Sequence, residues 1–315
     1  MREVRIICLM IVVSVLAGCT KFDGDVKVPA YIHLDRMGVE KRAGSGAQDG
    51  FITSAIDAVQ LVAYWEGDES ETELGTFQLP CTVPVLRKDT ITRLRITPVV
   101  KQNGIAATRI EYPYYEYVTL EKVNIASDST TNLGAKDSLG EWFINTTYRP
   151  WTTNLSITSD TLLKVLAQEY FEDIQFTISF SDKVTRLTND PIVRTGTGCG
   201  MVVVPDSSNR SVDFEIENEI ECNDPTAYLY LEMDYKTDVR LSVGMRSAYY
   251  DGGTEDTQSA VTLYATQEWK KIYINLGRLW SQFNHHAKFH VVFSALNSDG
   301  TGGKVYLDNV KLLQM

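Results

Sequence analysis

The chain has 315 residues, of which 43% are hydrophobic, 10% aromatic and 23% charged, which is enough apolar material for a buried core and excludes a disordered polypeptide. Asp and Glu (41) outnumber Lys and Arg (30), giving a formal charge of −11. An acidic chain with no basic run excludes a nucleic-acid binder, because phosphate contacts need clustered Lys and Arg, and four histidines are too few for a histidine-rich metal enzyme.

Residues 1–18 read as an export segment. Arg2 and Arg5 precede an apolar run from Ile6 to Ala17, shorter than the roughly 20 residues a membrane-spanning helix needs. The run closes on Leu16-Ala17-Gly18-Cys19, which resembles the lipobox of bacterial lipoproteins. That resemblance implies lipidation at Cys19, attachment to the membrane through the lipid and an outer-membrane location. Asp23 and Asp25, in the tether 19–27, loosely resemble the acidic signal that sends Bacteroidota lipoproteins to the cell surface, which favours the surface over the periplasmic face. Four tripeptides, Asp89-Thr90-Ile91, Asp128-Ser129-Thr130, Asp137-Ser138-Leu139 and Asp160-Thr161-Leu162, resemble the acceptor of Bacteroidota O-glycosylation.

The rest of the chain reads as strand and turn. Alternation of apolar and polar residues marks strands at Val59–Trp65, Thr92–Thr97 and Gln175–Phe180, and turn residues stand at 66–68, 102–104 and 251–253. Helix signals occur over 161–171, opened by Ser159-Asp160 as a cap, and near 276–284. The pattern predicts an all-β protein of two sandwiches, one over 28–152 and one over 163–315, joined by a Ser/Thr/Asn-rich linker at 153–162.

The first unit resembles an immunoglobulin-like sandwich. Its segments Pro80–Leu86, Thr92–Val99 and Asn103–Arg109 resemble a pattern in uncharacterised Bacteroidota lipoproteins that carries no settled activity. Its run Glu111-Tyr112-Pro113-Tyr114-Tyr115-Glu116-Tyr117 is interrupted by a proline, which demotes a strand to an edge. A tyrosine-rich edge suits protein contact, so Tyr112, Tyr114, Tyr115 and Tyr117 are candidates for a partner surface, with half-core packing as the alternative.

The second unit resembles the jelly-roll superfamily of galactose-binding-like domains and carbohydrate-binding modules. The segments that carry the resemblance are Phe171-Glu172-Asp173 at the first strand, Ala227–Tyr235, Glu268–Leu276 and Lys304–Leu312. It implies a structural Ca²⁺ held by Glu172, Asp173 and Asp308, and no other cofactor; a turn or edge hydrogen bond is the alternative role for Asp308. Sugar rings pack on exposed aromatic faces while carboxylates and amides take the hydroxyls. Tyr249, Tyr250 and Asp251 in a Gly-rich loop, and Trp280 with His285, fit that chemistry. Mid-strand Trp269 reads as core. Glu232 and Asp234 alternate onto one sheet face and read as solvated. Cys199 and Cys222 are either a disulfide pair or, with Cys81, small buried apolar side chains. Nucleophile-elbow, phosphate-loop and dinucleotide-binding patterns do not occur in the sequence. The function expected is that of a non-catalytic, lipid-anchored outer-membrane lipoprotein that binds glycan through its jelly roll. The alternative is a structural or accessory subunit of an outer-membrane assembly, working through protein contacts.

Overall fold

The computed structural model describes residues 28–41, 52–86, 90–149, 164–173, 178–206, 210–221, 228–248, 255–282 and 288–315. The export segment 1–18, the tether 19–27, the linker 153–162, and acceptor residues Asp89 and 160–162 lie outside them.

Alternation builds the first sandwich. Val59, Leu61, Ala63 and Trp65 of β3 (Ile56–Trp65) and Ile91, Leu94 and Ile96 of β6 (Ile91–Lys101) point into one layer. They meet Ile32 and Leu34 of β1 (Ala30–Leu34), Met37 of β2 (Arg36–Glu40), Val83 and Val85 of β5 (Cys81–Val85) and Ile144 of β11 (Trp142–Thr147). One layer is the five-stranded sheet in the order β4 (Asp68–Gln78), β3, β6, β7 (Arg109–Glu111), with β8 (Val118–Val123) also on β6. The other consists of two three-stranded sheets, β5-β1 with β9 (Thr130–Asn132), and β10 (Ala135–Lys136) with β11-β2.

The second unit is a jelly-roll sandwich. Its six-stranded sheet runs β13 (Thr185–Thr188), β14 (Gly198–Val204), β22 (Gly303–Gln314), β17 (Leu229–Thr237), β20 (Lys270–Asn275), with β12 (Lys164–Glu169) also on β22. Its five-stranded sheet runs β15 (Ser211–Glu215), β21 (Lys288–Leu296), β18 (Arg240–Ala248), β19 (Asp256–Leu263), with β16 (Ile220–Glu221) on β21. Leu231, Met233, Ile274 and Leu312 from the first sheet pack against Val243, Met245, Val291 and Phe293 from the second. The helix expected over 161–171 is a strand instead where the chain is described: β12 pairs antiparallel with the long β22, and that pairing overrides a local helix signal. The later helix signal corresponds to Gly277–Gln282, whose first amide, Gly277 N, donates to Asn275 Oδ1 at 2.9 Å as an N-cap.

β17 and β22 are buried on both faces. One face lines the jelly-roll core, and the first sandwich covers the other. This covered face carries Tyr230, Glu232 and Asp234 of β17, Lys271 and Tyr273 of β20, and Lys311 and Leu313 of β22. Glu232 and Asp234 are therefore not solvated; Glu232 is 1% exposed, and the alternation that reads as a wet face here marks a seam between two sandwiches.

The tyrosine run forms the cover. Tyr112, Tyr114 and Tyr115 are buried against Tyr148, Tyr230 and Tyr273, so they make an internal seam and not a free partner edge; Tyr117, at 62% exposure, stays outside. The rings meet mostly tilted or edge-on, with Tyr112 and Tyr273 centroids 4.6 Å apart and Tyr112 and Tyr230 5.3 Å apart. Each hydroxyl that bonds across the seam fixes the docking. Tyr112 donates to Glu232 Oε1 at 2.8 Å, Tyr114 donates to the Tyr228 carbonyl at 3.0 Å, and the Tyr115 and Tyr273 hydroxyls bond at 2.7 Å. The Ala55 amide donates to the Tyr273 hydroxyl at 2.8 Å. Burial, then the Glu232 carboxylate, pushes the phenols of Tyr112, Tyr148 and Tyr273 far above their ordinary range, so they remain donors at any physiological pH.

A β-turn completes the seam. Asn103 and Gly104 take left-handed backbone angles, φ 55° and 72°, and the turn lays its edge on β20. The Asn103 amide donates to the Tyr273 carbonyl at 2.9 Å, and the Asn275 amide donates to Asn103 Oδ1 at 2.9 Å. Beneath, Lys271 Nζ lies 3.4 Å from Glu232 Oε2, both side chains at most 2% exposed.

Removing one member of a buried ion pair strands the other charge, at about 3–5 kcal/mol. Lys271→Ala should lower the unfolding free energy by that amount in urea titrations. Joint replacement of Lys271 and Glu232 by Met should recover most of the loss.

Candidate functional site

With one face of the six-stranded sheet covered, the open sheet face of the jelly roll is the outer side of β15, β21, β18 and β19. A groove of about 480 Å³ runs across these strands. Its lining includes Asp213, Glu215, Ser242, Arg246, Gln258, Ser259 and Ser294, with the backbone of Gly244 between them. Strand alternation puts these polar side chains outward while Phe214, Val243, Met245 and Phe293 fill the core from the same strands. Gly244 sits at a bulge where β18 meets β19; a Cβ there would lie 2.0 Å from the Gln258 carbonyl oxygen, so only glycine allows the strands to close.

The groove's polar groups are held in place. Arg246 Nη2 donates to both Glu215 carboxylate oxygens at 2.7 Å, and Arg246 Nη1 lies 2.8 Å from Glu255 Oε1. Ser294 donates to Asp213 Oδ1 at 2.6 Å, Gln258 donates to Asp256 Oδ2 at 2.8 Å, and the Ser242 and Ser259 hydroxyls bond at 2.7 Å. The lining holds two carboxylates, Asp213 and Glu215, and one guanidinium, which is paired with Glu215 and with Glu255, so the surface has acceptor oxygens in excess and a net negative charge.

Tyr249, Tyr250, Asp251 and His285 lie outside the described residues. The loops that carry them leave from Ala248 and Lys288, which are register partners at one end of this sheet. Trp280 corrects the expectation of an exposed sugar platform. It is 5% exposed, lies on the helix, and packs its ring 5.4 Å from that of Phe289, because the helix lays its apolar side on the core. Trp269 departs from the core reading: it is half-buried, and its Nε1 donates to the Ile192 carbonyl at 2.6 Å.

The three carboxylates expected at a calcium ion are divided among separate tasks. Glu172 accepts from the Thr197 amide at 3.0 Å, the Thr197 hydroxyl at 2.8 Å and the Gly198 amide at 3.3 Å. Asp308 Oδ2 accepts from the Thr195 amide at 3.1 Å and hydroxyl at 3.0 Å, while Oδ1 accepts from the Asn309 amide at 2.7 Å. Asp173 is exposed. The Phe171 and Glu172 carbonyls accept from the Arg186 guanidinium. The carboxylates of Glu172 and Asp308 and the two carbonyls are thus already hydrogen-bonded, and among the described residues no three His, Cys, Asp or Glu side chains converge on one point. The residues do not fit such an ion. Glu172 and Asp308 pin the loop 189–197 onto the end of the sheet instead.

Cys81 and Cys199 are free thiols, Cys199 buried with its thiol pushed up to about 12 by burial and then by Asp308, and Cys222 lies outside the described residues. Such a thiol is unreactive near neutral pH.

No family model and no curated protein matches the chain. Among solved structures, it is similar to a β-sandwich carbohydrate-binding module studied for promiscuous specificity, with 12% identity over 90% of this chain and 98% of that one, at a TM-score of 0.36. It is also similar to TmCBM61 solved with β-1,4-galactotriose (17% identity, 43% of this chain, 85% of that one, TM-score 0.28). A third likeness is to the enzymatically active domain of bacteriophage CBA120 tailspike protein 4 (18% identity, 46% of this chain, 20% of that one, TM-score 0.33). These likenesses concern fold alone.

Burial pushes the Asp308 carboxyl up to about 7, above the ordinary carboxylate range near 4. A group that binds its proton more tightly when folded contributes stability that is complete below about pH 4 and lost as pH rises through about 7. Relative to wild type, Asp308→Asn should therefore gain stability between pH 4 and 8, by on the order of a few kcal/mol in urea midpoints.

Proposed function

We propose that the protein is a non-catalytic glycan-binding protein that takes a neutral oligosaccharide along the groove on β15, β21, β18 and β19. The observation that carries this reading is the groove itself: an open strip of ordered carboxylates, hydroxyls, an amide and a guanidinium on the outer face of the five-stranded sheet. A sugar's hydroxyls each donate and accept, so a surface of fixed acceptors with a few donors matches them. Fixing those side chains in advance, through Arg246 and the serine pairs, lowers the entropy lost on binding. The excess of carboxylates disfavours acidic glycans by like-charge repulsion. The loops bearing Tyr249, Tyr250, Asp251 and His285 leave from one end of the same sheet and are the sequence-based candidates for ring stacking there.

The lipobox at Leu16–Cys19 supports attachment to the outer membrane, with the surface favoured by Asp23 and Asp25. The competing reading, a subunit working through the tyrosine run, loses its main support because three of the four tyrosines, Tyr112, Tyr114 and Tyr115, are occupied inside the chain.

Two measurements test this. On an array of neutral oligosaccharides, Arg246→Ala should bind at least tenfold more weakly than wild type with an unchanged melting temperature; equal binding would reject the groove. Cys19→Ser should move the protein from the membrane pellet to the soluble fraction and abolish incorporation of radiolabelled palmitate, and a variant that stays lipidated would reject the anchor.

A further inference from the structure

A second hollow, of about 490 Å³, lies in the seam between the sandwiches. The first sandwich supplies Lys101 and Asp57 to its lining, and the jelly roll supplies Arg194, Trp269, Lys270 and Lys271. Four cations and one carboxylate line this cleft in a chain whose formal charge is −11. Some of that positive charge is answered from behind. Lys271 pairs with Glu232, and Asp57 lies 3.0 Å from Lys101 and 2.8 Å from Arg109. Two cations are held loosely or not at all: Arg194 Nε is 3.8 Å from Asp234 Oδ1, and Lys270, exposed, has no ion-pair partner among the described residues. A concave site with low-dielectric walls concentrates such a field.

The aromatic wall is equally specific. The Trp269 indole N–H is committed to the Ile192 carbonyl, which fixes the ring while leaving it half-exposed in the cleft. Ile192 and Arg194 belong to the loop that Glu172 and Asp308 pin in place, so ring and guanidinium are presented together by one braced segment. A flat apolar face beside unsatisfied cations matches a sugar ring that bears a carboxylate. The C–H face stacks on the indole, and the carboxylate meets the guanidinium in bidentate geometry or the ammonium as a point charge.

We propose that the interdomain cleft is a binding site for an acidic saccharide, a hexuronate-bearing chain, distinct from the groove on the open sheet and opposite to it in charge. Arg194 and Lys270 bind the carboxylate, and Trp269 carries the ring. The site exists only while the two sandwiches are docked, because its walls come from both.

Calorimetric titration of the intact protein with a galacturonate hexamer, and with the same hexamer fully methyl-esterified, tests this. The acid form should bind at least tenfold more tightly than the ester, with an affinity that falls as salt is raised. Lys270→Ala, a surface substitution, should weaken binding of the acid form about tenfold while the melting temperature stays unchanged; Arg194→Ala should weaken it about tenfold and also lower the melting temperature, because it removes the cation beside buried Asp234, and Trp269→Ala should weaken binding further. Absence of binding to the acid form, equal binding of the ester, or unchanged affinity in both Arg194→Ala and Lys270→Ala would overturn the proposal. Because the groove is tested with neutral glycans and Arg246→Ala, failure of either site leaves the other result standing.

Discussion

The buried carboxylate of Glu232 is the constraint around which the two sandwiches are arranged. A charge taken out of water needs both a counter-ion and hydrogen bonds, or the desolvation cost exceeds any attraction. Lys271 supplies the first and Tyr112 one of the second. Lys271 lies on β20, beside Glu232 in the jelly roll's own sheet, but Tyr112 comes from the first unit, so the carboxylate gains that hydrogen bond only when the first sandwich sits on the jelly roll. A purely apolar patch would permit sliding. A carboxylate that must find a phenol at one distance, flanked by a hydroxyl pair between Tyr115 and Tyr273 and a turn hooked on β20, selects a single register.

That docking decides what is left to function. A two-sheet sandwich has two outer faces. Here much of one is spent on the seam, while the five-stranded sheet keeps an open polar face whose ordered side chains are free of structural duty toward the first unit. The edge of the seam is the other consequence. Where two convex bodies meet, a crevice remains along their rim, lined by residues of both. Carboxylates that could have served an ion, Glu172 and Asp308, brace the loop that forms one lip of that crevice.

The layout of strands was readable because alternation is a local property: Val59–Trp65 and Thr92–Thr97 lie within β3 and β6. The helix at 277–282 was readable too, as a local signal near 276–284, and the structure adds the Asn275 side chain at its start. What alternation cannot reveal is which solvent-facing row is later covered. Glu232 and Asp234 have the same spacing whether water or a second sandwich lies above them, and the tyrosine run has the same composition whether its partner is another chain or its own. Trp280 reads as a polar-flanked aromatic near His285 and is core because its helix turns it inward; Trp269 reads as mid-strand core and stands half-open because it lies just before β20 begins. For both tryptophans the deciding fact is tertiary. The groove was legible only as scattered Ser, Asp and Glu on separate strands, and no local signal joins Asp213 to Ser294 or Glu215 to Arg246.

The two concave surfaces divide the molecule's charge between them. An acidic protein repels acidic ligands over most of its surface, and the groove, with Glu215 and Glu255 on Arg246 and Asp213 beside them in the strip, shares that bias. The cleft reverses it with four cations, three from the jelly roll and Lys101 from the first sandwich. Two of them are balanced from behind, Lys101 by Asp57 and Lys271 by Glu232, while Arg194 and Lys270 keep their charge directed outward. The seam thus does more than join the sandwiches: the same buried carboxylate that helps fix their register also neutralises Lys271 from within, so the charge the cleft presents outward rests on Arg194 and Lys270.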